Sequence, residues 1–310
     1  MSISQFPPPA SPSPASSSRS LASPSPSPAS LSSSTRLWRP AAQRNLRNQW
    51  SKLSTCRQQW IAACSGARVH AISLVNSYLS QKFIPMMEFG VLSDMFDIKK
   101  KALKKLFKQQ SSYRIKLLSS YKEMVALVVE MVNASRSLRC YMKPSSDSLI
   151  QFSGSMEDSN DAGDCGGVPV FNFWNVSAFE KIAEELVEMF KREVMLKRLL
   201  IVELVSLSCE IPQPVKLSWS DELYHEEFDD LFKCSLYSME ASEPILPRLK
   251  EDDLGTSSVS HTNHPTPEIL QAFFIVIQMY LVTWSAEVII DTHRIHEILA
   301  MVGEEIRVTF

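Results

Sequence analysis

A chain of 310 residues with 45% hydrophobic content can bury one large helical core or two small ones, and its 8 glycines argue against Gly-rich phosphate loops and turn-dense β folds. The formal charge of −2 conceals a split. Residues 1–143 carry 21 Lys and Arg against 5 Asp and Glu, whereas residues 144–310 carry 11 against 29. Such polarity speaks of association, either of the two halves with each other or of each with a partner of opposite sign. No P-loop, dinucleotide fingerprint, nucleophile elbow or kinase motif set occurs, so neither a catalytic residue nor a cofactor is expected.

Residues 1–36 form a Ser/Pro/Ala-rich segment that lacks the apolar material to offset ordering entropy, and a disordered tail is expected there. Ser11, Ser13, Ser23, Ser25 and Ser27 each precede proline, which makes them candidate phosphorylation sites for proline-directed kinases. Each phosphate adds up to about −2 and partly cancels the neighbouring positive charge. The absence of any acidic residue before Glu88, with abundant Ser and Arg, also fits an organelle transit peptide, so chloroplast import is the alternative. No apolar stretch follows a basic start, which speaks against a secretory signal.

From Leu46, apolar or small residues recur at Trp50, Leu53, Trp60, Cys64, Ala67, Ala71, Leu74 and Tyr78, in steps of three and four that only Arg57 interrupts. That period predicts a coiled-coil-like helix of about nine turns ending before Pro85. A second helix is expected from about Val91 to Arg139, with a stripe of Leu103, Leu106, Tyr113, Leu117, Tyr121, Met124, Val128, Met131 and Leu138. The step through Tyr121 breaks heptad phase as a stutter does. With a short Pro85–Gly90 connection, the two helices predict a basic antiparallel hairpin over 37–143, closed by Pro144.

The second helix carries Lys99, Lys100, Lys101, Lys104, Lys105 and Lys108. One reading is a docking stripe for phosphates, anionic lipid or the acidic surface of a protein filament; a nuclear-import signal is another. The plain reading is a solvated face that pairs with the acidic half. Sequence-specific nucleic-acid recognition is not supported, because neither zinc-finger spacing nor interleaved exposed aromatics are present.

Residues 144–173 shift to Ser, Gly and Asp, with Glu157, Asp158, Asp161 and Asp164, and predict an acidic flexible linker. The alternating ligands of a calcium loop are missing. An acidic helical half follows over 174–310. Ser177 and Glu180 have capping-box spacing ahead of a helix through Phe179, Ile182, Leu186, Phe190, Val194, Ile201, Leu204 and Leu207, ended by Ile211-Pro212. Its run MLKRLLIVELVSL is apolar on more than one face and predicts packing from two sides. A short acidic helix is expected over Ser220–Cys234, with Leu223, Phe228, Leu231 and Phe232 packing and its carboxylates solvated. The final helix, from Thr266-Pro267 to about Val302, contains 18 residues without formal charge, Ile269–Ala286. A buried central helix that closes the core is expected, with a membrane association as the alternative.

Two His-x-x-His pairs, His261/His264 and His293/His296, carry the nitrogen chemistry for zinc, but the His-Glu-x-x-His pattern is absent and surface histidines are expected, so no metal is assigned. The six cysteines, Cys56, Cys64, Cys140, Cys165, Cys209 and Cys234, form no Cys-x-x-Cys pair and read as reduced thiols of an intracellular protein.

The stretches RLWRPAAQRNLRNQWSKL and FWNVSAFEKIAEELVEMFKREVMLKRLLIVEL (173–204) resemble a group of plant-lineage helical proteins without an assigned activity. The resemblance implies a helical fold after about residue 36 and no functional residues. The expectation is an all-α, non-enzymatic interaction or scaffold protein of the nucleus or cytoplasm, of the general build of cytoskeletal or spindle adaptors. It acts through helix–helix contacts with protein partners and through the lysine stripe. A plastid-imported helical protein and an enzyme with an unrecognised metal site are the alternatives.

Overall fold

The computed structural model describes residues 28–92, 94–95, 97–142, 150–151, 162–208, 217–247 and 268–310. The five Ser-Pro steps, Glu157, Asp158, Asp161, Cys209, Ile211-Pro212, the His261/His264 pair and Thr266-Pro267 lie outside them. Six helices dominate: α1 (Pro28–Phe83), α2 (Ile98–Arg136), α3 (Val176–Val205), α4 (Glu227–Lys233), α5 (Glu268–Ala286) and α6 (Thr292–Ile306). Two antiparallel pairs of two-residue strands join them: β1 (Tyr141–Met142) with β2 (Ile150–Gln151), and β3 (Tyr237–Ser238) with β4 (Glu243–Pro244).

The expected hairpin is present. Asn45 of α1 donates to the carbonyls of Ser137 and Leu138 just past α2, while Gln110 of α2 donates to the Ser77 carbonyl, so the helices run antiparallel. Every predicted seam residue of α1 is buried, and the seam continues upstream through Ala42 to Trp38. Cys56, not position 57, completes the three-and-four rhythm between Leu53 and Trp60, which leaves Arg57 outside the core. The helix runs through Pro40, whose ring faces solvent. A proline there forfeits one intrahelical bond, and packing of Trp38 and Ala42 on either side maintains the helix. Trp38 also donates its indole N–H to the Cys140 carbonyl at 2.9 Å.

α2 begins at Ile98, later than the expected Val91, because the intervening chain forms two 3₁₀ turns, Ile84–Met86 with Pro85 at its start and Gly90–Leu92. The stripe from Leu117 to Leu138 is buried, whereas Leu103, Leu106 and Tyr113 are only half-buried. The body of the molecule packs on α2 from Arg114 onward, where that guanidinium donates to the Val205 and Leu207 carbonyls at the end of α3. Beyond that point the hairpin ends in a tip.

α3 starts one residue before the expected capping box. Asn175 is the cap and accepts from the Ala178 amide at 3.0 Å, while Glu180 faces away to form a two-pronged pair with Arg139 at 2.6 and 2.8 Å. The expected single last helix is two helices. Glu287 turns into the left-handed region at φ 45°, and Asp291 caps α6 by accepting from the Arg294 amide. Tertiary bonds fix this break: Trp60 donates to the Glu287 carboxylate at 2.9 Å and the Ile289 amide donates to Glu193 at 3.0 Å.

α5 does not close the core as expected. Ile277 and Trp284 are buried, but Phe274, Ile275, Val276, Met279 and Val282 stand exposed. Its place at the bundle edge follows from the long α1–α2 pair and α3, which already satisfy one another. No helix among the described residues is long and apolar enough to cross a membrane. α6 is clasped to the body by Glu305, which accepts the backbone amides of Asn172, Phe173 and Trp174 at 2.8 to 3.0 Å. Gly303 permits the chain to fold back: a Cβ there sits 2.5 Å from the Val308 carbonyl oxygen.

Candidate functional site: the lysine-rich hairpin tip

α2 presents all six lysines, Lys99, Lys100, Lys101, Lys104, Lys105 and Lys108, to solvent. Lys101, Lys104, Lys105 and Lys108 follow the i, i+3, i+4, i+7 spacing that places them on one face, away from half-buried Leu103 and Leu106 and buried Gln110. Lys99 lies apart from that face, its ammonium 4.8 Å from the Phe89 ring centroid. No ion pair joins any of the six to a carboxylate among the described residues.

The start of the stripe sits where positive charge is mildly unfavourable. No acidic residue occupies the first turn of α2, and Asp97 at the cap makes no side-chain capping bond. The positive end of the helix dipole therefore faces Lys99, Lys100 and Lys101, a repulsion of about 0.3–1 kcal/mol per charge at low salt. Next to the stripe, the turns that close the hairpin expose Met86, Met87, Val91, Leu92 and Met95, with Val91 92% exposed. The tip thus combines dense positive charge with protruding apolar side chains.

The other charged groups behave differently. Within the run that is apolar on more than one face, Lys197 and Arg198 are fully buried. Arg198 reaches Glu227 at 2.8 Å and donates to the Trp219 and Asp221 carbonyls, both at 2.7 Å. Glu227 further accepts from the Tyr121 hydroxyl at 2.7 Å and the Leu223 amide at 2.6 Å. Of the acidic-helix carboxylates expected in solvent, Glu227 is therefore a correction. It is the buried counterion that ties α2, α3 and α4 together, and Phe232, expected to pack, is exposed. Burial first, then the Glu227 carboxylate, hold the Tyr121 phenol well above its ordinary range, so it remains a donor. Lys197 meets Glu193 at 2.9 Å and donates to the Trp284 carbonyl, with its ammonium 4.9 Å from the Trp284 ring centroid.

Burial pushes the thiols of Cys56, Cys140 and Cys234 up to about 11 and that of Cys64 up to about 12, away from the thiolate form. His293 is exposed on α6, and His296 lies 2.8 Å from the Arg57 guanidinium beside a surface cavity of about 480 Å³ lined also by Glu304 and Arg307. No group of three or more His, Cys, Asp or Glu side chains suited to a metal occurs among the described residues. Sequence reasoning reached the lysine stripe but missed the buried quartet of Glu193, Lys197, Arg198 and Glu227. Its signal was available: Lys-Arg embedded in a segment apolar on more than one face requires buried counterions.

No family model, curated protein or solved structure matches the chain, so the plant-lineage resemblance rests on the two sequence stretches alone.

Proposed function

We propose that this chain is a non-enzymatic helical interaction or scaffold protein of the nucleus or cytoplasm, and that it engages partners through helix surfaces and the Lys99–Lys108 stripe. The observation that carries this reading is the set of six exposed lysines that make no ion pair with a carboxylate among the described residues, in a chain whose other half holds 29 acidic residues. Self-neutralisation is the plain alternative; against it, some described acidic residues pair elsewhere, Glu180 with Arg139 and Glu185 with Arg294. Charges kept at a helix end that disfavours them are a cost to folding, and binding of an anionic partner offsets it. The exposed apolar face of α5 supplies a second surface suited to a helical partner.

Affinity purification of the full chain with partner identification tests this reading. The comparison is with a variant carrying Gln at Lys100, Lys101, Lys104 and Lys105. Loss of specific partners with thermal unfolding unchanged or slightly raised supports docking. Unchanged partners with lowered stability assigns the stripe to the fold.

A further inference from the structure

We infer that the hairpin tip docks on an anionic lipid bilayer surface. The inference rests on the reading of the lysine stripe as a docking surface and names what it meets. Three observations lead there. The first is charge: six exposed lysines, with no ion pair to a carboxylate among the described residues, outnumber the three tip carboxylates, Glu88, Asp94 and Asp97. Lipid headgroup phosphates and carboxylates are a complementary surface.

The second is the apolar content of the tip. Met86, Met87, Val91, Leu92 and Met95 fall within ten residues, and all are exposed. Phosphates alone make no use of such side chains. A bilayer does, because residues of this kind enter the boundary between headgroups and acyl chains by about 5–10 Å.

The third is shape. At 92% and 64% exposure, Val91 and Met86 stand out from the surface. A rigid protein partner needs a matching cavity to receive them, whereas lipid rearranges around them. The stripe then lies at the right height. Lys99 to Lys105 occupy the first two turns of α2, within about 11 Å of its start along the axis. When the tip enters the interface, these lysines reach the headgroup zone and the surface charge within about a Debye length of 8 Å.

Flotation of the full-length protein with extruded vesicles tests the inference, using phosphatidylcholine alone against phosphatidylcholine mixed with phosphatidylserine. Binding is expected only to the phosphatidylserine vesicles, weakening as salt rises. Each lysine at the surface contributes about fivefold to partitioning, so the K100Q/K101Q/K104Q/K105Q variant is expected to lose at least about tenfold. A Met86→Ser/Val91→Ser/Met95→Ser variant alters only exposed positions and is expected to lose binding while it unfolds at the same temperature as the parent.

Absence of binding to phosphatidylserine vesicles overturns the inference. So does binding that survives either variant, since both charge and apolar insertion are required. Lysine-dependent capture of a protein partner or of duplex DNA, without vesicle binding, overturns the bilayer and leaves the docking stripe standing. Loss of every lysine-dependent interaction overturns both.

Discussion

Lys197 and Arg198 lie in the interior without exposed surface, and each meets a buried carboxylate; Lys100, Lys101, Lys104, Lys105 and Lys108 stand in solvent and meet none among the described residues. Both sets lie on long helices, and both interrupt apolar periodicity. Their surroundings separate them. Where α2, α3 and α4 converge, a cation has no water and must find a counterion, so its identity is tied to the fold. At the hairpin tip one helix face is left uncovered, so charge there costs little and is free to serve binding. The same residue type is structural in one place and available in the other.

Removing Arg198 is the strongest way to test that contrast. Arg198→Met strands Glu227 in the interior and is expected to cost about 3–5 kcal/mol, read as a lower urea midpoint with an unchanged slope. If the cost is below about 1 kcal/mol, the buried pair is not what distinguishes the two regions. Alkaline pH attacks the same interior. The folded chain retains protons on Cys56, Cys64, Cys140, Cys234 and Tyr121 that the unfolded chain releases from the ordinary values of 9.0 for thiols and 10.0 for phenol. Stability is thus full below about pH 9 and falls as pH rises beyond it. Urea titrations at pH 8 and at higher pH measure the decline, and the tip variants should not alter it.

Gly303→Ala places a methyl group 2.5 Å from the Val308 carbonyl oxygen and is expected to cost about 1–3 kcal/mol, with the 307–310 segment loosened in hydrogen exchange. A smaller effect is expected at the surface. The Arg294 hydrogen bond holds the Glu185 carboxyl below its ordinary value of 4.5. Its contribution is present above pH 4.5 and is lost as pH falls through the lowered value. Because the pair is largely exposed, Glu185→Gln should cost less than about 1 kcal/mol at pH 7 and nothing at low pH. Neutralising Lys100, Lys101, Lys104 and Lys105 is expected to change stability least, with a slight gain in melting temperature from relief at the helix N-terminus. A marked fall in melting temperature would place the stripe with the interior cations and collapse the comparison.

How much of this was legible in sequence depends on the range of the interaction. The seam from Leu46 to Tyr78 and the stripe from Leu117 to Leu138 were readable because helical period is local, and so was the lysine face at 101, 104, 105 and 108. The cap at Asn175 instead of Ser177 was missed by two residues, since either position admits a cap and only packing chooses. Glu227 was read as solvated because its partners, Arg198 and Tyr121, lie 29 and 106 residues away in sequence.

By itself, the sequence determined the hairpin, its antiparallel course and the placement of positive charge at one end, because periodicity and short connections act over a few residues. Only the tertiary structure decided that α5 lies at the surface, that Glu287 breaks the last helix, and that the lysine stripe makes no ion pair among the described residues while the interior cations do. Those outcomes depend on which faces compete for a core of finite size. α1, α2 and α3 supply most of it, which leaves the apolar face of α5 and the charged tip at the surface.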